Sequence, residues 1–88
     1  MFRPLRHVKV PYKRQVTIYV TCLNYYDQPA AVRKKIDRLC EEVGGEAETA
    51  AALKEWLITD GNAEAIALAH HLSPRTLYRR RALFYKRF

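Results

Sequence analysis

A chain of 88 residues can bury one hydrophobic core, but it has no room for a second core or for a large substrate cleft. The sequence contains no apolar run long enough to cross a bilayer and no signal-peptide pattern, so we expect a cytoplasmic protein with no membrane partner. Two cysteines, Cys22 and Cys40, are too few for a disulfide framework. Both fall in apolar helical patterns, which predict buried free thiols.

The formal net charge of +7 is distributed unevenly along the chain. Residues 1–26 and 65–88 carry net charges of +5 and +6 and contain no acidic residue, whereas residues 27–64 hold all nine acidic residues and carry −4. Surface helices normally mix both signs. Two purely basic ends therefore favour a polyanionic partner over a merely solvated charged surface.

Residues 1–12 form the first segment, and their pattern fits neither a helix nor a strand. Basic residues recur at every third position (Arg3, Arg6 and Lys9), and Pro4 and Pro11 interrupt the segment. We expect a basic arm that is extended or disordered. It either follows a phosphate backbone or moves freely in solvent.

Residues 13–26 open the single helical domain that we expect over residues 13–88. The run V-T-I-Y-V-T-C is rich in β-branched residues typical of strands, but a lone strand would leave its backbone groups unpaired. The apolar residues at helical spacing are Val16, Tyr19, Val20, Leu23 and Tyr26. We therefore predict a helix that includes residues 16–22, with Tyr19, Tyr25 and Tyr26 in the core or at its edge. A platform for stacking bases is the alternative role of the tyrosines.

A second helix is predicted after Asp27, which can cap it, with Pro29 near its first turn. Its apolar stripe consists of Val32, Ile36, Leu39, Cys40 and Val43. Gly44 and Gly45 are expected to end the helix, because glycine readily adopts the left-handed conformation needed there.

The third helix is predicted from Glu46 or Glu48 to Ile58, before the turn signal Asp60-Gly61-Asn62. Leu53, Trp56 and Leu57 should point inward. Over the whole domain, the residues expected to be largely buried are Ile36, Leu39, Leu53, Trp56, Ile66 and Leu77.

Residues 62–88 predict two helices joined by a tight turn, which is the pattern of a helix-turn-helix. Ser73 can cap the second helix, Pro74 suits its first position, and Leu77 is placed to pack on the small residues of the first. We expect His70 in the packing between these two helices and His71 in the turn.

The segment I-A-x-A-x-x-L-S-x-x-T-L-x-R, from Ile66 to Arg79, resembles the helix-turn-helix of the sigma-factor region that reads the distal promoter element. It is also similar to the C-terminal part of small phage regulators of the autolysin-regulator type, which activate late genes. The segment belongs to the predicted helix-turn-helix of residues 62–88, about a third of the chain, and the resemblance implies a helical domain that binds DNA in transcription. The sequence departs from the pattern at His71, where glycine is usual, and histidine enters the left-handed region at modest cost.

The last helix carries the candidate DNA-binding residues. They are Arg75, Thr76, Arg79, Arg80, Arg81, Lys86 and Arg87. We assign the first four to base edges in the major groove, where arginine can donate two hydrogen bonds to guanine. Arg81 is expected to reach a phosphate over the edge of the core, and the last two to contact the DNA backbone or the C-terminus of their own helix. A solvated patch at Arg79–Arg81 is the alternative.

The sequence offers no catalytic or cofactor pattern. No nucleophile has a base at a recognisable spacing, and no glycine-rich phosphate loop occurs. Adjacent His70 and His71 point to different faces of a helix, and neither cysteine has a second close ligand, so we expect no metal and no cofactor. An enzyme is therefore not expected.

The sequence as a whole predicts an all-α domain of about four helices that ends in a helix-turn-helix and binds double-stranded DNA. We expect a phage or prophage transcriptional regulator. Two other functions fit the same features: a DNA-recognition subunit of a packaging or recombination machine, and an adaptor that binds RNA polymerase. A homodimer is common among such proteins, and the cluster of Phe84, Tyr85 and Phe88 can serve either the core or a dimer interface.

Overall fold

A computed structural model describes residues 2–6 and 8–88, and within them it shows an all-α domain without a strand. The elements are α1 (Tyr12–Leu23), a 3₁₀ helix (Tyr25–Asp27), α2 (Ala30–Gly44), α3 (Ala47–Thr59), α4 (Ala63–Ala69) and α5 (Pro74–Arg87). The predicted fold class is confirmed, with five α-helices in this part of the chain where about four were expected. No helix of the described ranges combines the length and the apolar character needed to cross a membrane.

Helix α1 confirms the helix predicted over residues 16–22, but it buries a different face from the apolar stripe seen in the sequence. The buried residues here are Gln15, Ile18, Cys22 and, in the 3₁₀ helix, Tyr25. Val20, Leu23 and Tyr26 are 44%, 40% and 80% exposed. Both faces have helical spacing, so packing against α3, and not periodicity, decides which one is buried.

Helices α2 and α3 form a tight hairpin around the stripes predicted for them. The buried residues include Ile36, Leu39, Cys40 and Val43 of α2, and Leu53, Trp56 and Leu57 of α3. Gly45 ends α2 with a φ of +80°, as expected for a glycine in the left-handed region. A Cβ atom on Gly44 would lie 2.7 Å from the Cα of Ala50. The missing side chain at Gly44 therefore lets the two helices approach each other.

The cap predicted at Asp27 was wrong. The residue that precedes α2 is Pro29, which makes no side-chain capping bond, and Asp27 instead belongs to the 3₁₀ helix. The three residues Tyr25–Asp27 continue the chain from α1 in a tighter helix, which leaves Asp27 too early to cap α2.

The connection between α4 and α5 has the local structure predicted from the sequence. His71 has a φ of +58° and is the turn residue. The Ser73 hydroxyl accepts a hydrogen bond from the backbone N–H of Arg75 at 3.2 Å, and Pro74 is the first residue of α5. Leu77 is completely buried. The helix-turn-helix is therefore formed by α4, a four-residue turn and α5.

The core contains side chains from all five α-helices. All six residues predicted to be largely buried lie in it, and so do Phe84 and Tyr85. Phe84 and Tyr85 therefore belong to the core of this domain. Cys22 and Cys40 are buried free thiols, as predicted, and burial raises the pKa of each to about 12.

The N-terminal segment is attached to the domain through apolar packing and through the amide of Gln15. Val8 is buried, and the side chain of Gln15 accepts a hydrogen bond from the Leu5 N–H at 2.7 Å and donates one to the Val10 carbonyl at 2.9 Å. The basic arm predicted over residues 1–12 is thus held at these points, and its flexibility stays a prediction. Two residues of the arm, Met1 and His7, lie outside the described residues.

Candidate nucleic-acid interface

Helix α5 distributes its cationic side chains over three directions. Successive residues of an α-helix are about 100° apart, so Arg79 and Lys86 lie within about 40° of Arg75 around the axis. Arg80 and Arg87 lie about 120–140° from Arg75 on one side, and Arg81 about 120° from it on the other. The seven candidate residues therefore do not form a single surface.

The outward face of α5 carries Arg75, Arg79 and Lys86, all of which are exposed. Thr76 is partly buried beside them, in the first turn after the Ser73 cap. Arg75 and Arg79 are one helical turn apart, which places two guanidinium groups in a row along the N-terminal half of the helix. This face matches the arrangement expected for side chains that reach base edges.

Arg80 points toward α2. Its guanidinium donates a hydrogen bond of 3.1 Å to the backbone carbonyl of Val43, in the last turn of α2. The last carbonyls of a helix lack partners within the helix and carry partial negative charge, so a cation stabilises them. In this structure Arg80 connects α5 to α2, and it does not project alongside Arg75 and Arg79.

Arg81 lies over the edge of the core, as expected, but it is held there by aromatic rings. The centre of its guanidinium is 4.1 Å from the ring centroid of Trp56 and 5.7 Å from that of Tyr78. Burial lowers the pKa of the guanidinium. Its Nε is buried and makes no hydrogen bond within the described part of the chain. Cation–π contacts with Trp56 and Tyr78 thus position Arg81 beside the surface of α5.

A first groove, which we call the α2 groove, lies between α2 and the end of α5. It encloses about 390 Å³ and is lined by Ala31, Lys34, Lys35, Arg38, Leu39, Glu42 and Arg87. Lys35 also contacts the chain end, because its Nζ is 4.3 Å from the ring centroid of Phe88. Four cations and one carboxylate therefore surround an apolar floor. Nothing in the order of residues indicates that α2 lies beside Arg87, so this groove could not be predicted from the sequence.

A second groove, which we call the N-terminal groove, lies on the other side of α5. It encloses about 860 Å³ and is lined by Arg3, Pro4, Leu5, Arg6, Val8, Tyr78, Arg81 and Ala82. The three arginines come from two segments that are distant in the sequence, and none of the described residues that line the groove is acidic. The basic arm and the basic helix, predicted separately, thus meet in one place.

Several carboxylates of α2 and α3 are paired with cations away from the outward face of α5. Asp37 contacts the Lys54 Nζ at 2.9 Å and accepts a hydrogen bond from the Tyr25 hydroxyl at 2.8 Å. Burial alone would raise the pKa of Asp37, but the bonds from Lys54 and Tyr25 outweigh it and lower that pKa. This carboxylate therefore stays ionised and is neutralised locally.

His70 is held between two carboxylates of α3. Its Nδ1 contacts Glu48, and its Nε2 lies 3.0 Å from Glu55 Oε1. The prediction that His70 packs between α4 and α5 was therefore wrong, because the side chain contacts α3 instead. Hydrogen bonds to Glu55 and then Glu48 raise the pKa of the imidazole. Within the ranges that the structure describes, no group of three or more His, Cys, Asp or Glu residues is placed to hold a metal ion.

The geometry defines a small all-α domain that ends in a helix-turn-helix, and the last helix presents one basic face to solvent between two basic grooves. No protein-family model, no curated protein and no solved structure matches the chain.

Proposed function

We propose that this protein binds double-stranded DNA in a sequence-directed manner and acts as a transcriptional regulator of phage or prophage type, without a catalytic step. The observation that supports DNA binding most directly is the outward face of α5. It presents Arg75, Arg79 and Lys86 to solvent, directly after a capped turn, in a region of the chain without acidic residues. The regulatory role rests on the resemblance of Ile66–Arg79 to sigma-like and late-activator helix-turn-helix segments.

In the proposed complex, the N-terminal half of α5 lies in the major groove. Recognition helices contact base edges from this half, and the groove is wide enough to admit one α-helix. Arg75 and Arg79 would donate paired hydrogen bonds to guanine, and Thr76 would contact a neighbouring base or its methyl group. Lys86 and Arg87, at the far end of the helix, would contact phosphates.

The proposal is tested by comparing Arg79→Ala with Arg87→Ala on a duplex selected from random sequences and on a scrambled duplex. We expect Arg79→Ala to weaken binding to the selected duplex by about 1–3 kcal/mol and to leave the scrambled duplex nearly unaffected. Arg87→Ala should weaken both duplexes alike and make the slope of log K against log salt shallower by about one unit. Equal losses on both duplexes for Arg79→Ala would show that this residue does not read bases.

An adaptor that binds a protein partner is the second candidate, and the exposed face of α1 favours it. Tyr12, Val20 and Leu23 are 61%, 44% and 40% exposed on one side of that helix. Apolar side chains exposed on one side of a helix can form a protein contact. Absence of duplex binding by the unmodified protein at low salt would leave this second candidate as the better account.

A further inference from the structure

The outward face of α5 lies between the α2 groove and the N-terminal groove. Ala82 and Tyr78, which line the N-terminal groove, lie about 20–60° from Arg75 on one side of the helix axis. Arg87, which lines the α2 groove, lies about 120° from Arg75 on the other side. A rod-shaped ligand that lies against the outward face of α5 would therefore have one basic groove on each side of the helix.

The α2 groove is fixed beside α5 at two points. The Arg80 guanidinium meets the Val43 carbonyl near the C-terminal end of α2, and the Lys35 Nζ lies over the Phe88 ring near the N-terminal end. The two helices therefore run in opposite directions. The cations of α2 lie beside the C-terminal half of α5, where Arg87 completes the groove.

The N-terminal groove is fixed by the hydrogen bonds of Gln15 and the aromatic contacts of Arg81. Gln15 holds the backbone at Leu5, between Arg3 and Arg6, and Val8 is buried in the core. The Arg81 guanidinium is held over the Trp56 ring. The Arg81 guanidinium and the backbone that carries Arg3 and Arg6 are thus positioned before any ligand arrives, which lowers the entropic cost of binding an anion.

We propose that the two grooves bind phosphate groups of opposite strands of one DNA duplex, while α5 occupies the major groove between them. This inference rests on the proposed function. The walls of the major groove are the two phosphate backbones, so a helix lying in it has a different strand on each flank. Arg87 lies about 120° from Arg75 around the axis, so it faces one of the two backbones when Arg75 and Arg79 are at the bases.

The test uses three double variants of the full chain, each of which removes two charges. Lys34→Ala with Arg38→Ala removes two of the four cations that line the α2 groove, and Arg3→Ala with Arg6→Ala removes two of the three arginines that line the N-terminal groove. The matched control, Lys13→Ala with Arg14→Ala, removes two exposed cations of α1 that line neither groove. Circular dichroism melting would verify that each variant folds.

The measurement is ethylation interference on each strand of the selected duplex, combined with binding titrations at several salt concentrations. Each groove variant should weaken interference on one strand only, and the two variants should affect different strands. The salt slope should become shallower by about 0.9 for each phosphate that is no longer neutralised, or nearly two units per variant, with the preference for the selected site retained. The α1 control should keep the full interference pattern on both strands.

Several outcomes would overturn the inference. The two-strand arrangement would be refuted if both groove variants lost interference on the same strand. It would also be refuted if neither variant lost interference while Arg79→Ala still weakened binding to the selected duplex. Either result would leave the proposed function standing. Saturable binding of inorganic phosphate in the α2 groove, seen as a shift of the Arg38 side-chain NMR signal, together with an unchanged DNA interference pattern in the Lys34→Ala, Arg38→Ala variant, would identify a free-anion site instead. Absence of duplex binding by the unmodified protein would remove both proposals.

Discussion

The imidazole of His70 connects the helix-turn-helix to two carboxylates of α3. The residue follows α4 directly, its side chain is 17% exposed, and its two ring nitrogens face Glu48 and Glu55. The imidazolium form can donate to both carboxylates at once, whereas the neutral form can donate to only one. Protonation of His70 therefore strengthens the attachment of α4 to α3.

This contact predicts a pH dependence of stability. The pKa of His70 is raised above its ordinary value of 6.5 in the folded protein, so the folded state binds the proton more tightly than the unfolded state. The stabilisation is complete below about pH 6.5 and is lost as the pH rises through the folded-state pKa. Melting temperatures measured between pH 5.5 and 8.5 should fall over this range, and His70→Gln should remove most of the fall.

His71→Asn is the matched control for that experiment. Asparagine tolerates the positive φ that the turn requires, so this variant removes a neighbouring histidine while keeping the backbone conformation. It should retain the pH dependence of the unmodified protein. A profile unaltered by His70→Gln would mean that the two contacts with α3 contribute nothing in solution.

At the scale of the elements, the sequence pattern of α1 predicts a helix but does not predict which face of that helix is buried. The run of β-branched residues was correctly assigned to a helix, because no partner strand existed. The face that α1 buries could not be predicted, because the helix has apolar residues on two faces. The buried face also includes Gln15, a polar residue that the sequence pattern would place at the surface. Gln15 is buried because its amide pairs with backbone groups of Leu5 and Val10, which lie in an irregular segment.

The turn between α4 and α5 shows the opposite case. Ser73, Pro74 and His71 act through residues at most a few positions away, so their roles follow from local backbone chemistry. The burial of Leu77 was predicted correctly for a related reason: the residues next to it along α5 form only one apolar face of the helix. The local structure of this turn was therefore predictable, whereas the choice between two faces of α1 depended on distant parts of the chain.

The buried face of α1 is open to a direct test with two alanine substitutions. Ile18 is completely buried, so Ile18→Ala should lower the free energy of unfolding by about 2–5 kcal/mol. Val20 is 44% exposed, and Val20→Ala should change it by no more than about 0.5 kcal/mol. Urea unfolding would measure both. The reverse order would indicate that α1 packs on the face suggested by the sequence stripe.

For the whole molecule, the sequence revealed which residues are basic but not which of them lie together. The cations of α5 could be recognised from one short stretch. The direction of Arg80 depends on the Val43 carbonyl, 37 residues earlier in the chain, and that of Arg81 on the ring of Trp56. The meeting of Arg3 and Arg6 with α5, and of the α2 cations with Arg87, likewise follows from tertiary packing.

The last prediction concerns the stability of the whole domain in the presence of DNA. A ligand that binds only the folded state stabilises it by about 2.7 kcal/mol when its free concentration is 100 times Kd. For a domain of this size, 1 kcal/mol shifts the melting temperature by about 4–8 °C, so the selected duplex should raise it by roughly 10–20 °C at low salt. At the same DNA concentration the increase should shrink steeply with added salt, because counterions compete for the phosphates. Melts without DNA at each salt concentration separate this effect from that of salt on the protein alone. An increase that does not depend on salt would contradict binding through the basic surface around α5.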